Sequence, residues 1–163
     1  MTLRVLFLDC DGCVAPFRVE RRTRAEALDP ILVKRLGRFV EKHNLVVVLS
    51  STWRFEVGLG ATRRMLAQHW PGALDRIRHA TPILDNATRG QEILAWLLRH
   101  PVSGFIIIDD DTAMAPLGAF QVVTDPWAGL RAKDLVTAAA ILRRQCFWVY
   151  EDNVMKVQSA SNS

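Results

Sequence analysis

The fold prediction starts from the sequence VLFLDCDG at residues 5–12. Its four consecutive apolar residues are typical of a strand that is buried on both faces, as in a parallel sheet. Two acids and a glycine, Asp9, Asp11 and Gly12, lie in the four residues that follow. Ligands of parallel α/β sheets bind beyond the carboxyl ends of the strands, so the same stretch predicts a candidate site.

Strands of this kind recur along the chain. We predict three more, at Leu45–Leu49, Phe105–Ile108 and Phe120–Val123. Apolar residues at helical spacing predict helices that begin near Asp29 and Pro30, at Gly90–Arg99 and at Lys133–Arg144. This alternation predicts an α/β fold with a doubly wound, Rossmann-like parallel sheet and helices on both faces. The aromatic segment Cys146–Tyr150 resembles a strand, but the pattern does not place it.

The composition fits one globular domain, with half of the 163 residues hydrophobic and 23% charged. We predict a folded core over residues 1–155 and a polar tail over residues 156–163. No apolar run approaches the ~20 residues of a membrane helix, and no secretory signal pattern is present, so we expect a cytoplasmic protein. Three cysteines argue against a disulfide scaffold or a zinc ribbon. The net charge of +4 favours polyanionic partners without identifying one.

Polar side chains follow three of the predicted strands. The first strand precedes Asp9 and Asp11, and the other two precede Ser50 and Ser51, and Asp109, Asp110 and Asp111. Each segment alone is more often a turn or a helix cap. Carboxylates that converge on one crevice repel each other unless a cation lies between them, and hard oxygen ligands suit Mg²⁺. The segments together therefore predict a Mg²⁺ site.

Two other classes of protein use acids at the ends of strands. A phospho-receiver domain would need a lysine after a late strand, where this chain has Thr124, Asp125 and Pro126. A metal-dependent nuclease would have no evident use for a second strand that ends in serine. Both classes stay open as alternatives.

The ordered set of motifs resembles the haloacid dehalogenase (HAD) superfamily of phosphohydrolases. The residues that carry the resemblance are the strand ending in Asp9-Cys10-Asp11-Gly12, the strand ending in Ser50-Ser51, and the strand ending in Asp109-Asp110. The finer pattern at residues 51–54, 89–93 and 125–130 resembles the small capless branch found in multifunctional RNA-repair proteins.

The resemblance implies a role for each motif. Asp9 would be the nucleophile that forms an aspartyl-phosphate, and Asp11 would be the general acid and base. Ser51, or Ser50 beside it, would bind a phosphoryl oxygen. The implied Mg²⁺ ligands are Asp9, the backbone carbonyl of Asp11, and Asp109 or Asp110.

The third motif of the superfamily usually contains a lysine, and this chain has no lysine between Lys42 and Lys133. Arg89 is the best candidate for the basic residue, because it begins a predicted helix just before the acidic strand. An arginine carries the same charge with a different geometry. A solvent-facing residue at the start of the helix is the alternative interpretation of Arg89.

The intervals between motifs are about 40 residues each, which leaves no room for a large cap domain. An open site suits a phosphate at the end of a large molecule, such as a polynucleotide or a protein, although small phosphate esters could also enter it. Four arginines after the first strand could contact a phosphate backbone or form a solvated loop: Arg18, Arg21, Arg22 and Arg24. Trp53 and Trp127 follow strand ends, where they could stack on a base or pack in the core. The oligomeric state stays open.

Overall fold

The computed structural model describes residues 3–20, 23–145, 147–151 and 154–158. Five strands form a parallel sheet in the spatial order β3-β2-β1-β4-β5. The strands are β1 (Leu3–Leu8), β2 (Val46–Leu49), β3 (Ile77–Ala80), β4 (Val102–Asp109) and β5 (Gln121–Val123). The predicted doubly wound α/β fold is confirmed.

Helices connect these strands. They are α1 (Arg24–Ala27), α2 (Pro30–Lys42), α3 (Leu59–Ala67), α4 (Ala73–Arg76), α5 (Arg89–Leu97) and α6 (Ala132–Arg144), with a π-helical turn at Arg54–Gly58 and a 3₁₀ turn at Gly118–Phe120. Helix α2 begins where the sequence predicted, since Asp29 Oδ1 accepts hydrogen bonds from the backbone N–H groups of Ile31 at 2.8 Å and Leu32 at 3.3 Å. Pro30 occupies the first turn, where its missing N–H costs nothing.

Strand β1 lies at the centre of the sheet, and its side chains alternate between two buried clusters. Leu6 and Leu8 belong to the cluster that contains buried residues of α2 and α6. Val5 and Phe7 belong to the cluster that contains Trp96 of α5. Both faces of β1 are covered, which explains why its sequence is apolar without alternation.

The sheet has one strand more than the sequence predicted. Strand β3 is an edge strand of four residues, of which Ile77 is buried while Arg78 and His79 are exposed. One buried side chain gives no usable pattern, and the strand forms because its backbone pairs with β2. The strand predicted at Phe120–Val123 begins at Gln121, because the 3₁₀ turn includes Phe120.

Two further strands, β6 (Phe147–Glu151) and β7 (Val154–Gln158), form an antiparallel pair. The aromatic segment predicted to resemble a strand corresponds to β6, apart from Cys146, which lies outside the described residues. Strand β7 continues across the boundary predicted between residues 155 and 156. The division into core and tail stays a prediction.

Within the described part of the chain, no inserted domain covers the carboxyl edge of the sheet. The described residues of the connection between β1 and α2 form one helix, the four-residue α1. The connection after β2 contains the π-helical turn, α3 and α4. No described helix is long and apolar enough to span a membrane. The edge of the sheet beyond the carboxyl ends of β1, β2 and β4 is the place where the predicted site residues lie.

Candidate active site

Three carboxylates meet at the carboxyl edge of the sheet. Asp9, Asp109 and Asp110 each place one oxygen so that all three oxygens lie within 4.8 Å of one another. Asp9 and Asp109 are buried, and Asp110 is half-buried. The turn after β1 packs against them: Gly12 has a φ of +70°, and a Cβ there would lie 2.4 Å from Asp110 Oδ2. Only glycine fits at this position.

The cluster is electrostatically strained without a cation. Burial, together with the nearby Asp109, raises the pKa of Asp9 to about 8. Burial also raises the pKa of Asp109 to about 6, against the opposing effect of Arg89. Among the described residues, Asp109 Oδ2 is buried and has no hydrogen-bond partner. A close set of hard oxygen donors with an unsatisfied member fits a divalent cation such as Mg²⁺.

The Asp11 side chain lies outside this set of three and has its own partners. Its carboxylate accepts a hydrogen bond from Trp53 Nε1 at 3.1 Å and pairs with Arg24 Nη1 at 3.3 Å. Trp53 is fully buried, so it packs in the core and holds Asp11 rather than stacking on a ligand. No sequence pattern indicated this contact, although Trp53 closely follows the serines at the end of β2.

Arg89 is the first residue of α5 and points into the acidic cluster. Its guanidinium lies 3.8 Å from Asp9 Oδ1 and 3.7 Å from Asp109 Oδ2, too far for strong hydrogen bonds. Among the described residues, Nη1 of Arg89 is buried and has no hydrogen-bond partner. A cationic donor with unused capacity beside a nucleophile can bind an anion. The structure therefore brings Arg89 to the predicted site, and its side chain is not solvent-facing.

The two candidate serines have different surroundings. A hydrogen bond from the Ser51 side chain lowers the pKa of Asp9, against the larger effect of burial. Ser51 Oγ also accepts a hydrogen bond from the Trp53 backbone N–H at 3.3 Å. Ser50 Oγ is buried and has no hydrogen-bond partner in the described part of the chain. Ser51 is the serine that the structure places beside Asp9.

The two arginines of the predicted basic loop that the structure describes, Arg18 and Arg24, are paired within the protein. Arg18 forms an ion pair with Asp29, and Arg24 forms ion pairs with Asp11 and Glu56. Arg21 and Arg22 lie outside the described residues. These pairs reduce the charge that Arg18 and Arg24 can offer to a phosphate backbone.

Trp127 is 65% exposed on the loop after β5. Asp125 Oδ1 fixes this loop by accepting hydrogen bonds from the backbone N–H groups of Trp127 at 2.9 Å and Ala128 at 3.2 Å. The loop contacts the turn that follows the candidate nucleophile, since the Phe17 N–H donates to the Pro126 carbonyl at 2.9 Å. A large, exposed aromatic side chain thus lies on a loop that contacts the segment following the candidate nucleophile.

The sheet order and the acidic site at the carboxyl edge define a HAD-type α/β fold. The family model for the HAD domain in Swiss Army Knife RNA repair proteins matches residues 5–135, and the chain belongs to this family. A comparison with curated proteins found no match. The predicted resemblance is confirmed, and the family is one of the hydrolase and phosphatase kind.

A stability measurement tests the strain in the acidic cluster. In chelator, Asp9→Asn is expected to raise the Tm more at pH 8 than at pH 5. The unfolded chain ionises Asp9 near 3.8, whereas the folded chain keeps the proton up to a pKa of about 8, so rising pH favours unfolding across that interval. Asparagine removes this penalty. An equal change in Tm at both pH values would contradict the electrostatic account, and Asp111→Asn, at an exposed position, is the control.

Proposed function

We propose that this protein is a Mg²⁺-dependent phosphomonoesterase that works through an aspartyl-phosphate and acts on the phosphate ends of nucleic acids. The observation that carries the proposal is the position of Arg89. Its unused donor lies beside Asp9, where a phosphoryl group attacked by that carboxylate would need positive charge. Membership of the family supports the reaction class.

In the first half of the proposed reaction, a carboxylate oxygen of Asp9 attacks phosphorus while the bond to the leaving alcohol oxygen breaks. Asp11 donates its proton to that oxygen. Arg89 and the Ser51 hydroxyl bind the remaining phosphoryl oxygens, which keeps phosphorus in line with Asp9. Mg²⁺, held by Asp9, the carbonyl of Asp11, and Asp109 or Asp110, would offset the charge of the phosphate and of the buried carboxylates.

In the second half, Asp11 accepts a proton from a water molecule as that water attacks the aspartyl-phosphate. The bond between phosphorus and the Asp9 oxygen breaks, which releases inorganic phosphate and restores both carboxyl groups to their starting states. The Trp53 indole and Arg24 both donate to the ionised form of Asp11, the form that accepts this proton. They also hold the carboxylate in a fixed orientation at the rim of the site.

A panel of phosphorylated substrates tests the proposed activity. Purified protein with Mg²⁺ should release phosphate from an aryl phosphate and from oligonucleotides that carry a 3′- or a 5′-phosphate. The oligonucleotides should be the better substrates, because an uncapped site gains binding free energy from contacts beyond the phosphate. If no phosphomonoester is hydrolysed, the proposal of a phosphatase fails.

Trp127 provides a test of the nucleic-acid part of the proposal. Trp127→Ala should lower kcat/KM for a phosphorylated oligonucleotide about 10-fold, because a base stacked on an aromatic ring contributes roughly 1–3 kcal/mol. Trp127→Phe keeps an aromatic face and should retain most of the activity. Hydrolysis of an aryl phosphate should not change in either variant. Equal losses on the oligonucleotide and the aryl phosphate would exclude base stacking as the role of Trp127.

A further inference from the structure

Arg54 is a buried arginine whose hydrogen-bonding capacity is used entirely within the protein. It follows the motif at the end of β2, and its side chain is 4% exposed. The guanidinium donates to four backbone carbonyls, those of Ser50 at 2.7 Å, Ser51 at 2.9 Å, Thr81 at 3.2 Å and Pro82 at 3.3 Å. These bonds join the end of β2 to the segment that follows β3.

Glu92 completes this network from another element. Its Oε2 pairs with Arg54 Nη2 at 2.5 Å, and its Oε1 accepts a hydrogen bond from the Leu84 N–H at 3.2 Å. Glu92 lies on α5 three residues after Arg89, so the two side chains leave the same face of the helix. The ion pair therefore connects the strand end that carries Ser51 to the helix end that carries Arg89.

A second contact fixes the same end of α5 on its other side. A Cβ at Gly90 would lie 2.6 Å from the backbone carbonyl of Met114 and 2.8 Å from that of Ala115, and the Gly90 N–H donates to the Ala113 carbonyl at 3.2 Å. The first turn of α5 is thus held between the segment after β4 and the Arg54–Glu92 pair. The first residue of that turn, Arg89, has no hydrogen bond of its own from Nη1 within the described part of the chain.

The contacts that hold the first turn of α5 involve Gly90 and Glu92, and they do not use the Nη1 donor of Arg89. Replacing a buried ion pair by apolar residues is often neutral for stability, so the pair is weak evidence for a purely stabilising role. The pair also forms hydrogen bonds with four backbone carbonyls and one backbone N–H group, and these bonds restrict the orientation of both side chains. It orders two elements that each carry a residue beside Asp9, namely Ser51 after β2 and Arg89 on α5.

We propose that the Arg54–Glu92 ion pair is a positioning element that sets the spacing between Ser51 and Arg89, and thereby the affinity of the site for the phosphoryl group. This inference rests on the proposed function. The candidate metal ligands come from β1 and β4, and none of them makes a hydrogen bond with Arg54 or Glu92 among the described residues. The pair should therefore affect phosphate affinity more strongly than metal affinity.

Two conservative variants test whether the pair affects phosphate affinity more than metal affinity. Arg54→Lys keeps the charge but cannot reach four carbonyls and a carboxylate at once, and Glu92→Gln keeps the shape without the charge. Inhibition by inorganic phosphate should weaken about 10-fold in Arg54→Lys and less in Glu92→Gln. The kcat/KM for an aryl phosphate should fall in the same order, while the Mg²⁺ concentration for half-maximal activity should stay within about twofold of wild type.

Glu41→Gln is the matched control. Glu41 accepts a hydrogen bond from the indole of the buried Trp70 at 2.8 Å, on α2 near the amino end of β2 and away from the site. The amide oxygen of glutamine can accept the same hydrogen bond, so this variant changes only the charge and should keep the phosphate affinity of wild type. If Glu92→Gln and Arg54→Lys lower only the Tm, or weaken Mg²⁺ and phosphate equally, the positioning role is wrong.

The outcomes also separate this inference from the proposed function. If the wild-type protein hydrolyses no phosphomonoester, the proposed phosphatase activity is excluded. Calorimetric titration with inorganic phosphate and with Mg²⁺ then compares the same variants by their binding affinities alone. If the wild-type protein is active, and Arg54→Lys and Glu92→Gln are equally active and equally inhibited by phosphate, the positioning role is excluded. The proposed phosphatase activity is then still supported.

Discussion

Asp9→Asn is expected to reduce phosphate release by on the order of 10³-fold or more, because an amide cannot form the aspartyl-phosphate. The side chain is buried beside Arg89, Ser51 and Asp109, so asparagine fills the same space and the fold should persist. Phosphate release from an aryl phosphate measures the loss. Circular dichroism and the Tm establish that the variant is folded.

Asp111→Asn is the matched control for this change. Asp111 is exposed, and its Oδ1 accepts a hydrogen bond from the Ala113 N–H at 2.8 Å, which the amide oxygen of asparagine can also accept. This variant should retain activity within a few-fold of wild type.

Beryllofluoride should attach to Asp9 in crystals of the wild-type protein. Attachment to Asp109 instead would exchange the roles of the two acidic strands and favour the receiver-domain alternative.

Removal of divalent cations should abolish turnover, and addition of Mg²⁺ should restore it. Without a cation, burial raises the pKa of Asp9 to about 8, so near neutral pH most of this carboxyl holds a proton and cannot attack phosphorus. A bound cation would favour the ionised carboxylate and offset the charge of the phosphate. Activity measured in chelator, and again after titration with Mg²⁺, checks this expectation.

Asp110→Asn tests whether the cation binds at this cluster of three carboxylates. Loss of one of the three converging carboxylates should raise the Mg²⁺ concentration for half-maximal activity about 10-fold or more, whereas Asp111→Asn should not. Unchanged activity of wild type in chelator would exclude a metal-dependent mechanism. Equal Mg²⁺ requirements for Asp110→Asn and Asp111→Asn would place the cation elsewhere.

The sequence predicted β1, β2 and β4 because each is buried on both faces, and burial on both faces requires an uninterrupted apolar run. It did not predict β3, which buries Ile77 while Arg78 and His79 are exposed. An edge strand depends on the backbone groups of its neighbour, and that dependence leaves little trace in its own side chains. Local pattern identified the strands of the interior, and pairing with β2 determined the edge strand.

The same distinction holds for the candidate site. Asp9, Asp109 and Asp110 were predicted together because parallel strands bring their carboxyl ends to one edge, which is a consequence of the fold class. The contacts of Trp53 with Asp11 and of Arg54 with Glu92 join residues 42 and 38 positions apart. No periodicity relates such positions, since helix and strand patterns act only between near neighbours. From the sequence alone, the acids that follow β1 and β4 could be placed at one edge of the sheet. Which carboxylates converge there, and which side chains contact Asp11 and Glu92, depends on tertiary packing between residues far apart in the chain.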